Sequence, residues 1–178
     1  MTIDLNAGYF KKLSINTRKI HNKLNEYKYI SNNFNVLNEF PFLNLENLGI
    51  NENVTEIDLT PLNNIKSIPI DFLDNCHQLT TIDLTPLSNV ENIESGFLSK
   101  CSQLTHVDLS HMTKIVSIGE GFMSDCTSIV NIKFPQLINI NTINSNFLIR
   151  CKNLIDIDLT PFQNVVTINN GFLSNCRK

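Results

Sequence analysis

One alanine, Ala7, stands among the 178 residues, beside heavy use of Asn and Ile. That bias follows the base composition of AT-rich coding DNA and carries no functional information. Also missing is any apolar run near the roughly 20 residues that a membrane-spanning helix needs. The N-terminus, Met1-Thr-Ile-Asp-Leu-Asn6, lacks the basic-then-apolar order of a secretory signal, so the expectation is a cytoplasmic protein. No Arg-rich or aromatic-interleaved run occurs, which argues against nucleic acid as a partner. Closely spaced cysteine pairs are absent, and with them the usual zinc motifs. No dense loop of oxygen ligands of the calcium-binding kind is present either. The expectation is a chain with no metal and no cofactor.

What is present describes one ordered domain: 42% hydrophobic and 17% charged residues, in a chain long enough to bury a sizeable core. The net charge of −3 is unevenly spread. Residues 1–31 carry six Lys/Arg (Lys11, Lys12, Arg18, Lys19, Lys23, Lys28) against Asp4 and Glu26, a net +4, so the remainder is −7. A basic head on an acidic body indicates two different surfaces.

An internal period dominates the chain. Cys76, Cys101, Cys126, Cys151 and Cys176 recur every 25 residues, and Phe72, Phe97, Phe122, Phe147 and Phe172 keep the same step. Ile68, Ile93, Ile118, Ile143 and Ile168 form a further column without insertion or deletion. A unit reads Leu79-Thr-Thr-Ile82-Asp-Leu84, then Leu87, Val90 and Ile93, and ends Gly96-Phe97-Leu98-Ser-Lys-Cys101. The first piece alternates apolar and polar residues, as a half-buried strand does. The apolar step of three that follows suits a coil turning around a core. The Phe-Leu-x-x-Cys piece has helical spacing, in a length that allows one or two turns only. Pro61, Pro86 and Pro161 sit just past the strands, where a missing N–H ends a ladder.

With this Phe, Cys and Leu-x-x-Ile pattern the chain resembles leucine-rich repeats of the BspA-like, treponemal-type class, tightly over 57–178 and loosely over 32–56. Its "DLTPL" and "GFLS-x-C" regularity also resembles repeat proteins of giant DNA viruses and protists, which would put a viral version in the host cytoplasm. The resemblance implies an α/β repeat: a right-handed, curved stack of coils with a concave parallel β-sheet. The units must stack, because ordering a residue costs about 1–2 kcal/mol and one thin coil cannot bury its own apolar side chains. Residues 1–31 read as an N-terminal helical cap, 32–56 as a degenerate first repeat, and 57–178 as five repeats, the last incomplete. Its final coil is expected to leave an apolar end and an unpaired strand edge, open to end-to-end self-association.

Three constellations invite a chemical reading. His106, Asp108 and Ser110 alternate along one strand, about 6.5–7 Å from one to the next, too far for a hydrogen-bonded triad. The expectation is a non-enzyme with no catalytic residue. The five cysteines fall in core phase and read as free structural thiols. The column Asp58, Asp83, Asp108, Lys133 and Asp158 points outward on the concave face and has three readings: a template residue copied with the repeat, an acidic groove for a basic protein or peptide, or a calcium site. With His106, these are the candidate partner-binding residues of an interaction scaffold. A cell-surface adhesin or antigen, or a repeat fragment without separate activity, are the alternatives.

Overall fold

In the computed structural model, residues 53–176 are described. The helical cap expected over 1–31 and nearly all of the degenerate coil expected over 32–56 lie outside them. The described part is a repeat solenoid with parallel strands. Its strands are β1 (Ser67–Ile68), β2 (Asn92–Ile93), β3 (His106–Asp108), β4 (Ser117–Ile118), β5 (Asn131–Lys133), β6 (Thr142–Ile143) and β7 (Thr167–Ile168). Sheets run β1-β2-β4, β3-β5 and β6-β7. Every pairing is parallel and joins residues one period apart, such as Ile68 with Ile93 and Val107 with Ile132.

The Leu-x-x-Ile-x-Leu segment forms strands in two of its five copies, β3 and β5, each with a buried centre between exposed neighbours. The isoleucine column, expected as part of a turning coil, forms the more regular ladder. Bonds such as Glu94 N–H to Ile68 O (3.0 Å) and Gly119 N–H to Ile93 O (2.7 Å) run along it. Pro61, Pro86 and Pro161 fall inside short 3-10 turns, Thr60–Leu62, Thr85–Leu87 and Thr160–Phe162. A proline at the start of such a turn has no bond to lose there and brings the right φ.

The Phe-Leu-x-x-Cys segment is not helical in any described coil. Residues with positive φ alternate with ordinary ones: Gly96 (78°), Leu98 (53°) and Lys100 (59°) in one coil, Gly121 (66°), Met123 (49°) and Asp125 (59°) in the next. The alternation turns successive amides outward to both neighbouring coils, so they cannot close the i to i−4 bonds of a helix. Leu98 N–H donates back to Phe72 O (2.9 Å), while Gly96 and Lys100 donate forward to Glu120 O (2.8 Å) and Ser124 O (2.7 Å). A left-handed leucine is costly on its own; here the inter-coil ladder holds it in place.

The Phe, Ile, Leu and Cys columns fill one continuous core. Phe72, Phe97, Phe122 and Phe147 stack at 6.4, 5.6 and 5.0 Å between centroids, and Phe134 and Phe162 meet the stack at its later coils. Burying each such side chain is worth about 1.5–3 kcal/mol. In the last described coil the burial falls away: Ile168 is 56% exposed where its equivalent Ile143 is 4%, and Leu159 is 39% exposed.

Candidate functional site

The candidate residues occupy one face, at the ends of the Leu-x-x-Ile-x-Leu segments. Parallel pairing sets His106 beside Asn131 and Asp108 beside Lys133. Lys133 Nζ reaches Asp108 Oδ2 at 3.3 Å, and both side chains are exposed. Asp83 and Asp158 are exposed at the equivalent point of their coils, and Asp58 is half-buried.

Each of these aspartates has a local task. Its Oδ1 accepts the main-chain N–H two residues on: Asp58 from Thr60 (2.8 Å), Asp83 from Thr85, Asp108 from Ser110 and Asp158 from Thr160 (2.9 Å each). Aspartate does this in turns because its short side chain mimics a main-chain carbonyl. Lys133 is the exception, and the residue two on from it is Pro135, which has no N–H to satisfy. The acidic column is therefore tied to the turn that follows it, and the substitution at Lys133 matches the place where the turn needs no acceptor.

The same bonds keep the carboxylates charged. The Thr85 side chain and amide hold Asp83 below the usual carboxylate range. Ser110 does the same for Asp108, helped by Lys133, and the Thr160 amide for Asp158.

His106, Asp108 and Ser110 do not form a relay. His106 Nδ1 lies 3.0 Å from Thr105 Oγ1, while Asp108 is engaged with Ser110, so no imidazole stands between carboxylate and hydroxyl. Among the described residues no cluster of three or more His, Cys, Asp or Glu is arranged to hold a metal ion.

The cysteines are free and lie inside the core, Cys176 being half-buried. Each thiol from Cys101 onward donates to a main-chain carbonyl of the preceding coil: Leu73 (3.1 Å), Leu98 (3.0 Å), Met123 (3.3 Å) and Leu148 (3.0 Å). Burial pushes the Cys76 and Cys126 thiols up to about 12 and raises Cys101 and Cys151 as well, so these sulfurs stay protonated.

Ion pairs one coil apart were missed from sequence. Lys66 pairs with Glu91, and Arg150 grips Asp125 with two bonds of 2.5 and 2.6 Å. Lys100 lies 3.6 Å from Asp74. Opposite charges 25 or 26 residues apart were the available signal. Asparagines act similarly, Asn89 and Asn164 each donating to a carbonyl of the coil before, Asn63 O (2.9 Å) and Ile138 O (2.7 Å).

Neither the curated proteins nor the solved structures compared with the chain gave a match. A family model for the BspA type leucine rich repeat region matches residues 51–178 as six copies. With that match spanning well over half of the sequence, and the parallel coil stack beneath it, the chain belongs to the BspA-type leucine-rich repeat family.

Proposed function

We propose that the chain is a non-enzymatic scaffold that binds a protein or peptide through the outward side chains of the Leu-x-x-Ile-x-Leu segments. The observation carrying this reading is the row of exposed polar groups, His106, Asp108, Asn131 and Lys133, on a backbone fixed by in-register pairing. Groups held by such a frame lose little further entropy on binding. Asp58, Asp83, His106, Asp108, Lys133 and Asp158 are the contact residues in this reading. Three of the carboxylates are held ionised, which favours a basic partner. A cytoplasmic location goes with this reading.

The test is the triple variant Asp83→Asn, Asp108→Asn, Asp158→Asn. Asparagine keeps the oxygen that accepts the turn N–H and removes only the charge. Wild type should bind Lys/Arg-rich peptides from a display library in a salt-sensitive manner, and the folded variant should lose them. Equal binding by both, or selection of acidic sequences, would remove the acidic face from the account.

The BspA-type match favours a second reading, a cell-surface adhesin or antigen. Antibody labelling of intact, unpermeabilised source cells separates the two.

A further inference from the structure

We infer that Asn170-Gly171 is a site of spontaneous covalent modification, at which the Gly171 nitrogen closes on the Asn170 side-chain amide and water opens the ring to aspartate or isoaspartate. Three observations place the reaction here. This is the single Asn-Gly pair in the chain. Asn170 is exposed, and its side chain makes no hydrogen bond among the described residues. Gly171 has no Cβ to hinder approach to its nitrogen, and its φ of +83° lies where other residues are strained.

Other asparagines lack this combination. Asn144 is anchored by its side-chain amide to Ile118 O at 2.7 Å, and Asn169 donates to Asn144 Oδ1 at 3.4 Å. Asn89 and Asn164 are likewise bonded, and a β-branched valine follows each.

The chemistry closes without an oxidant or a catalyst. A bond forms between Gly171 N and Asn170 Cγ, and the Cγ–Nδ2 bond breaks. The proton from Gly171 N leaves with Nδ2 as ammonia, giving a succinimide. Solvent water then adds across one of its two C–N bonds. Cleavage at Cγ yields aspartate; cleavage at the main-chain carbonyl carbon yields isoaspartate, with the chain rerouted through the side-chain methylene.

The two products differ in consequence. Aspartate adds a carboxylate to a column that already holds Glu120. Isoaspartate lengthens the main chain by one carbon and converts the Asn170 carbonyl, which accepts from Asn146, into a free carboxylate. That removes one rung beside the Leu173 N–H to Phe147 O bond of 3.0 Å. The last described coil should loosen from its neighbour.

The intact chain would be incubated at mildly alkaline pH and mapped by mass spectrometry at intervals, with isoaspartyl methyltransferase labelling, beside an Asn170→Gln variant. The expected result is a gain of one mass unit at residue 170 ahead of every other asparagine, with isoaspartyl label there and none in the variant. Faster amide exchange at Leu173 should accompany it. A different asparagine reacting first would overturn the inference. So would residue 170 remaining unchanged while the urea-unfolded chain reacts there.

Discussion

Cys126 donates its thiol to the Leu98 main-chain carbonyl at 3.0 Å, a bond that crosses from one coil to the one before it. Leu98 is one of the left-handed residues, and among the described residues the only main-chain donor to its carbonyl is the Cys101 amide at 3.4 Å. A buried carbonyl without a good donor costs about 1–3 kcal/mol. Cysteine thus serves as a small core residue that also carries a donor, which accounts for its use at this position from Cys101 onward.

It follows that Cys126→Ala should destabilise the fold by about 2–4 kcal/mol, combining a small cavity with the lost donor. Cys126→Ser keeps a donor and should cost less. Urea unfolding of the two variants checks this, and a serine variant weaker than the alanine one would refute the hydrogen-bond role.

The turn aspartates give a second contrast. Asp83→Asn should cost less than removing the acceptor, because an oxygen for Thr85 N–H remains and only the charge is lost. Asp83→Leu should lose about 1 kcal/mol. Lys133→Asp should gain no such bond, since Pro135 offers no N–H. Thermal melts of the three variants measure each effect.

Acid should weaken the protein through the same residues. Asp83, Asp108, Asp125 and Asp158 all titrate below the usual range in the folded state, through hydrogen bonds and, for Asp125, Arg150. A lowered folded value means stability that is complete above the unfolded value and lost as pH falls through the folded one. Asp71 opposes this, its carboxyl raised by burial and by Asp74, so its protonation favours the fold as pH falls. With four against one, the melting temperature should hold above about pH 5 and drop below about pH 4. Scanning calorimetry across that range is the check.

Two glycines with different surroundings separate crowding from backbone strain. A Cβ on Gly119 would lie 2.5 Å from Ser95 N and 2.6 Å from Glu94 C, both main-chain atoms. A Cβ on Gly121, which has positive φ, would make only ordinary contacts, 3.8 Å from Ser124 Oγ and 3.9 Å from Gly96 N, and Asn146 and Asp71 occupy the same column with φ of 61° and 57°. Gly119→Ala should therefore cost about 2–3 kcal/mol or more, and Gly121→Asn about 1 or less. Chemical denaturation of both proteins compares them.

The coil stack was legible because its columns repeat: once Cys, Phe and Ile share a 25-residue step, core phase follows. The conformation of Phe-Leu-x-x-Cys was not, since apolar residues at i, i+1 and i+4 fit a helical turn as well as a turn that pairs sideways. The column Asp71, Gly96, Gly121, Asn146 and Gly171 held the missing clue, because these residues tolerate left-handed φ. The isoleucine ladder was hidden by its length, as two residues cannot display an alternation. At the candidate face the outward column was readable, and so in principle was its turn role, through Asp-Leu-Thr or Asp-Leu-Ser in four coils and Lys-Phe-Pro in the fifth. Whether a partner uses that face is not written in residues that the turn already requires.

The central claim is that neighbouring coils, not local helices, satisfy the left-handed segments. Hydrogen exchange by NMR at single amides tests it most directly. Gly96, Leu98 and Lys100 donate to carbonyls of adjacent coils. The account predicts strong protection at all three, with exchange only when the coil stack itself opens. Near-unfolded exchange rates at Leu98 and Lys100 in the folded protein would contradict the stacked ladder.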